Sequence, residues 1–248
     1  MDILYTLWLR QMRRYVRSGS RLLGTMGQPI LLLLALGYGI GAIYRRAGEG
    51  NYLQFLVPGI ITQTVLLSAI FWGIIILQDK RFGFLAEMLV APVSRIKILL
   101  GSAFGGATIS IFQGVIVFVV SGFFGFRPHN WVDVPAAFLV LVLMSVALTS
   151  FGAGIASIVD DFQGFQGINN LLVMPMFFLS SALYPLNNVP TALRIISTCN
   201  PVSYMVDALR YLLSGQSHFG LVKDLIVMAV TFVAALVFAV NRFQRIQM

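Results

Sequence analysis

Six long apolar stretches, at 22–43, 55–77, 98–126, 135–158, 167–186 and 225–240, narrow most sharply what this chain can fold into. A helix needs about 20 mostly apolar residues to cross the hydrocarbon core of a bilayer, and these runs are of that order. No water reaches the backbone there, so each run must satisfy its own N–H and C=O groups, as a helix does within one segment. The runs do not alternate, and most are about twice the ~10 residues of a barrel strand. The expected fold class is all-α: a polytopic membrane protein with six transmembrane helices. Residues 1–248 read as a single transmembrane domain, with no repeat beyond FQGFQG at 162–167.

Composition points the same way. The chain is 58% apolar and 10% charged, against about a quarter charged in a soluble domain, and its mean hydropathy is +0.87. That excludes a soluble enzyme and a disordered chain. A single cysteine, Cys199, excludes a disulfide scaffold. The 17 Lys+Arg against 9 Asp+Glu would suggest nucleic acid in a soluble domain. Here they read as topology signals, and no nucleic-acid partner is expected. Eleven basic residues (Arg10, Arg13, Arg14, Arg17, Arg21, Lys80, Arg81, Arg95, Lys97, Arg242 and Arg245) fall on one side of the six runs. Six (Arg45, Arg46, Arg127, Arg194, Arg210 and Lys223) fall on the other. The positive-inside rule then places both termini in the cytoplasm of a cell in whose inner or plasma membrane the chain sits. The first run is too long for a signal-peptide core and has no small-residue cleavage site, so it is expected to stay attached.

The edges of the runs carry their own patterns. Within 2–21, Arg10, Arg14, Arg17 and Arg21 share one helical face, while Leu4, Trp8, Met12 and Val16 recur at steps of four on another. This reads as an N-terminal amphipathic helix on the membrane surface, touching lipid. The loop at 78–97 has Phe82, Leu85 and Leu89 at helical spacing and Pro92 where a helix would stop. A short amphipathic helix between spans packs on lipid, on the span ends, or on a soluble protein docking from the cytoplasm. On the other side, 187–220 holds two helix starts, one at Pro190 and one at Asn200–Pro201, where an Asn cap precedes Pro at the first helical position. Asp207 and Arg210 then stand three apart, close enough to pair. The likeness of 200–204 to an NPxxY signature is a coincidence.

Absences decide much of the chemistry. No Asp, Glu, Lys, Arg or His lies inside any of the six runs, which argues against proton coupling. His129 and His218 have no spaced nucleophile, and two histidines with one cysteine cannot build a zinc site. The glycines around Gly101, Gly105 and Gly106 imitate a phosphate loop, but Ala107 stands where its lysine would be. They read instead as close-approach positions between helices, as do Gly37 with Gly41 and Gly152 with Ala156. No catalytic, metal or cofactor site is expected. The uncharged polar and adaptable apolar residues within the runs, including Gln63, Gln113, Asn169, Asn170, Met174, Phe177 and Phe178, are candidates for a path taken by an amphipathic or lipid-like cargo.

Three stretches resemble the membrane subunit of type-2 ATP-binding-cassette exporters, the daunorubicin-resistance, O-antigen and nodulation-factor type. They are Phe55-Leu-Val-Pro58-Gly59; Glu87-Met88-Leu89-Val-Ala91-Pro92-Val-Ser-Arg95; and 178–185 followed by Asn200, Pro201, Tyr204, Asp207 and Arg210. The resemblance implies a permease subunit, likewise a dimer with a second copy. It would be powered by a separate cytoplasmic ATPase present in two copies, which binds the ATP and Mg and moves a hydrophobic or amphipathic cargo outward. It implies a coupling helix carried by Phe82, Leu85, Glu87, Met88, Leu89, Ala91, Pro92 and Arg95, with a second ATPase contact at Asp160 and Asp161. It also implies short outer re-entrant helices that close the exit between spans five and six. A polysaccharide or glycolipid cargo is the alternative within the family. A sodium-coupled carrier or channel, active without an ATPase, and a non-transporting scaffold are the readings outside it.

Overall fold

A computed structural model describes residues 3–17, 19–39, 41, 51–85, 88, 93–186 and 189–245. They form ten α-helices, and no strand occurs among them. In chain order these are α1 (Ile3–Val16), α2 (Gly19–Gly39), α3 (Tyr52–Phe71), α4 (Gly73–Arg81), α5 (Arg95–Phe123), α6 (Val134–Ile158), α7 (Phe162–Phe178), α8 (Thr191–Cys199), α9 (Pro201–Ser214) and α10 (Leu221–Gln244). A single 3-10 turn, Trp131–Asp133, leads into α6.

Among the described residues four helices are long and apolar enough to cross a membrane: Tyr52–Arg81, which joins α3 to α4, then Arg95–Phe123, Trp131–Ile158 and Leu221–Gln244. They contain the runs expected at 55–77 and 135–158, and all but the last residues of 98–126, together with 225–240. The run at 22–43 is helical to Gly39, and residues 40, 42 and 43 lie outside the described residues. The run at 167–186 departs from expectation. Its helix starts earlier, at Phe162, and ends at Phe178 after 17 residues.

The reason lies in who receives the backbone carbonyls. Beyond Phe178 the chain turns, and Ser181 adopts a positive φ of 60°. Side chains from elsewhere donate to what the lost helix would have bonded: Ser197 Oγ to Leu179 O at 2.6 Å, Arg210 Nη2 to Ser181 O at 3.0 Å, and Tyr52 Oη to Leu183 O at 2.9 Å. Unwound backbone is tolerated at such a place only when protein groups replace the missing ladder. The same logic holds at Pro58, inside α3. Proline has no N–H, so Gln54 O loses its partner one turn on, and Ser214 Oγ donates to it at 2.6 Å.

Packing between helices runs through glycines. A Cβ on Gly152 would stand 2.6 Å from Ile70 O, and one on Gly73 2.5 Å from Gly152 O, so α6 meets the break between α3 and α4 backbone to backbone. A Cβ on Gly106 would run into the Trp72 ring, and one on Gly59 into the Ala182 carbonyl. The close-approach reading therefore holds at Gly152, Gly101, Gly105, Gly106 and Gly37, while Gly41 has nothing within 4 Å among the described residues. The main core gathers α3, α5, α6 and α9 around Leu56, Ile60, Met144, Val206 and Leu209.

Two outcomes follow from this packing. Gly152→Val should lower stability by about 1–3 kcal/mol through overpacking, read as a drop in thermal midpoint in detergent, whereas Gly41→Ala should leave it unchanged. Arg210→Met should cost about 2–4 kcal/mol, because buried carbonyls lose a charged donor; equal midpoints for variant and parent would contradict the account of the turn at 179–186.

Candidate functional site

Arg10, Arg14, Lys80, Arg81 and Arg95 find their partners at one end of the bundle, here the basic end. α8 and α9 lie at the opposite, far end, where Ser214 reaches Gln54 O and Ser197 reaches Leu179 O. At the basic end α1 packs lengthwise along α5. Leu7, Gln11 and Tyr15, spaced by four, are its buried face. They reach α5 at Gly101, Gly105 and Gln113: a Cβ on Gly101 would stand 3.1 Å from Leu7 and one on Gly105 2.8 Å from Gln11. Gln113 Nε2 donates to Tyr15 Oη at 2.8 Å.

This corrects the expectation of one surface helix over 2–21. The helix stops at Val16, a second begins at Gly19, and Arg21 belongs to that second helix. The expected headgroup face is partly spent on protein. Arg10 grips Asp79 with two bonds, of 3.1 and 2.9 Å, and Arg14 Nη2 donates to Gln78 Oε1 at 2.6 Å. Trp8 Nε1 donates to Thr108 Oγ1 at 3.0 Å, while Arg17 is exposed. Asp79 is almost fully buried, and burying a carboxylate requires such a partner.

Beyond α4 the chain enters the segment expected to couple. Glu87, Leu89, Ala91 and Pro92 lie outside the described residues. Leu85 is turned inward, buried among Leu7, Ile76, Ile98 and Phe243, with Met88 half-buried against the same cluster. Phe82 is exposed, and so is Phe84, which the helical spacing of 82, 85 and 89 does not single out and over which Arg10 sits at 5.5 Å. Arg95 Nη1 donates to Gln244 O at 2.7 Å, tying the start of α5 to the end of α10.

The loop between α6 and α7 joins this surface. Lys80 Nζ meets Asp160 Oδ1 at 2.6 Å, Arg81 Nε donates to Asp160 O at 3.1 Å, and the Arg81 guanidinium lies 5.3 Å over the Phe162 ring. The bond from Lys80, then its charge, holds the Asp160 carboxyl below the usual carboxylate range. A carboxyl so lowered keeps its link into mild acid and loses it only when pH falls through that lowered value. Asp161 does what a helix cap does, accepting from Gly164 N at 2.6 Å. The two stretches expected to touch a partner are thus brought side by side.

At the far end both expected short helices form. α8 begins after Pro190, and α9 begins at Pro201, with Asn200 Oδ1 accepting from Val202 N at 3.0 Å and Asn200 Nδ2 donating to Met176 O at 2.6 Å. Residues 187 and 188 lie outside the described residues. Tyr204 Oη donates to Thr198 O at 2.8 Å. Asp207 and Arg210 are directed to different partners, contrary to the pairing expected from their spacing. Asp207 accepts from Ser217 Oγ, His218 N and Phe219 N at 2.8–3.0 Å. Arg210 lies 3.8 Å over the Phe55 ring and reaches Ser181 O. Both are almost fully buried, so each takes the strongest group its own side of the helix offers.

Asp224 stands outside every apolar run and is not among the expected site residues. Because α10 begins at Leu221, Asp224 lies in its first turn and is completely buried. The expected cargo-path residues divide in two. Gln63, Gln113, Asn169 and Phe177 are buried within the chain, the Asn169 amide without a hydrogen-bond partner among the described residues. Asn170, Met174 and Phe178, spaced by four along α7, form an exposed row. Among the described residues no cluster of three metal-ligating side chains occurs.

Known proteins share this sequence. The pattern of the family described as ABC-2 type transporter matches residues 3–214. The permease-type protein ycf38 of Cyanophora paradoxa is 31% identical over 221 residues, 86% of this chain and 75% of its own. The inner membrane transport permease YadH of Escherichia coli K12 is 28% identical over 98% of this chain and 94% of its own. Nodulation protein J of Rhizobium leguminosarum bv. viciae is 24% identical over 85% of this chain and 82% of its own. With apolar helices fit to cross a membrane and a family match over most of its length, the chain belongs to the ABC-2 type transporters, as a membrane permease.

Proposed function

We propose that this permease is the membrane subunit of an ATP-driven exporter. It works as a dimer of two copies, each engaging one copy of a separate cytoplasmic ATPase, with both termini of the permease in the cytoplasm. The observation that carries this reading is the exposed Phe82–Phe84 pair at the basic end, flanked by the Lys80–Asp160 bridge. Two large apolar side chains exposed among charges, on a segment tied to α1, α5 and α10, suit docking of a soluble protein better than lipid or water. The ties carry motion. Arg10 to Asp79, Arg95 to the end of α10, and Leu85 in the cluster with Ile98 and Phe243 link the segment to three helices of the bundle. ATP and Mg bind to the partner, which closes on ATP and pushes on this segment; the permease supplies no phosphate loop of its own.

The cargo is proposed to be amphipathic, drug-like or lipid-linked. Its path would follow the exposed row Asn170, Met174 and Phe178 on α7, which carries an amide beside soft apolar groups. The same mixture would serve a glycolipid with sugar and acyl parts. The buried amide of Asn169, which has no hydrogen-bond partner among the described residues, is a further group that a cargo or a second copy could satisfy.

Two measurements test the proposal. Purified and reconstituted with its ATPase, the permease should transport cargo and stimulate ATP hydrolysis, while the permease alone should do neither; gradient-driven transport by the permease alone would refute it. Phe82→Ala with Phe84→Ala should weaken capture of the ATPase by about tenfold or more, and Glu87→Ala or Pro92→Ala should impair coupling, with insertion and dimerisation intact. Full transport in all of these variants would remove the docking assignment.

A further inference from the structure

Beside the break between α3 and α4 lies a cavity of about 260 Å³, enclosed with the help of α1, α2 and α5. Trp72, the residue at the break, forms part of its wall, together with Tyr15, Thr25, Ile75, Ile109 and Gln113. The wall is tied across elements. Gln113 Nε2 donates to Tyr15 Oη at 2.8 Å and to Thr25 Oγ1 at 3.1 Å, so α5, α1 and α2 are bonded around the space. The Trp72 ring packs with Tyr15, Ile75 and Ile109, and it lies so close to α5 that a Cβ on Gly106 would stand 2.3 Å from it. Thus held, Trp72 is only 6% exposed, and its indole N–H meets no acceptor among the described residues. A buried donor is costly to the fold unless something accepts from it.

We propose that this cavity holds an acyl chain of a membrane lipid, whose ester carbonyl accepts the hydrogen bond of Trp72 Nε1. Three observations select that occupant. The wall is mostly apolar and contains no charged side chain, so a phosphate or a metal ion has nothing there to bind. Thr25 is exposed, so the cavity opens on the flank of the bundle, within an apolar run, where lipid lies. The depth also fits. Tyr15 stands among Arg13, Arg14 and Arg17, all exposed, which places the cavity just beneath the level of the lipid headgroups, where tyrosine and tryptophan collect. The ester carbonyl, between headgroup and chain, is the acceptor a lipid offers at that level. A water would need two or more polar partners, and Gln113, Tyr15 and Thr25 already bond one another. The site is on other helices than the α7 row proposed for cargo, and it requires neither an ATPase nor transport.

The test uses the full chain with Trp8→Phe and Trp131→Phe, which leaves Trp72 as its one indole. It is reconstituted in vesicles of palmitoyl-oleoyl phosphatidylcholine and in vesicles of the ether-linked analogue, which lacks the carbonyls. Ultraviolet resonance Raman spectra should report a hydrogen-bonded indole N–H in the ester vesicles and a free one in the ether vesicles. Native mass spectrometry of the parent chain, released from the ester vesicles in mild detergent, should find one retained lipid. Trp72→Phe should retain it about fivefold less, the effect of one lost hydrogen bond. If Trp72→Phe does not fold, the comparison of the two vesicle types is decisive by itself. A bonded N–H in both vesicle types, as a water or a protein group would give, or a free N–H in both, would overturn the proposal, as would equal retention by the parent and a folded Trp72→Phe.

Discussion

A backbone carbonyl released from its helix inside an apolar bundle has no water to turn to, and the far end of this permease is arranged around that constraint. Pro58 releases Gln54 O, and the turn after Phe178 releases a series of carbonyls. Ser214, Arg210, Tyr52 and Ser197 answer them. Two of these donors stand on α9, so a helix too short to span is held in place by bonds that α3 and the turn at 179–186 could not do without. The cation of Arg210 is tolerable there because it has carbonyls and the face of Phe55 around it.

The basic end solves a different problem. Several of its charges reach across elements: α1 to α4 through Arg10 and Asp79, α4 to the loop before α7 through Lys80 and Asp160, α5 to α10 through Arg95. An exposed pair such as Lys80 with Asp160 adds little stability by itself, whereas the buried carboxylate of Asp79 depends on Arg10. Their effect is geometric, since they make the segment after α4 a part of the bundle while leaving Phe82 and Phe84 outside it. A surface that must pass force to the helices needs that stiffness on one side and an apolar grip on the other.

Much of the candidate site was legible because it is local. Asn200 followed by Pro201 specifies a helix start whatever surrounds it, and Asp161 caps α7 by the same chemistry. Glycine spacing marked Gly152 and Gly105 as places where helices meet. What escaped reading depends on groups distant in sequence. Arg10 was assigned to lipid because nothing near it in the chain is acidic; its partner is 69 residues away. Phe84 falls outside the helical spacing of Phe82, Leu85 and Leu89, a pattern that selects Leu85, which the fold buries. Asp207 and Arg210 looked like partners because three residues separate them, yet each had a better one across the interface.

By itself the sequence determined the class of solvent this chain must live in and the helical answer to it, since long apolar runs allow no other local satisfaction of the backbone. It also determined the family, through short motifs whose order survives without their contacts. Only the tertiary structure decided where the fifth apolar run stops being a helix, that Arg10 meets an aspartate, and that Asp224 is buried. These are matters of which donor reaches which acceptor once the helices are packed, and a one-dimensional pattern carries no distance between elements far apart along it.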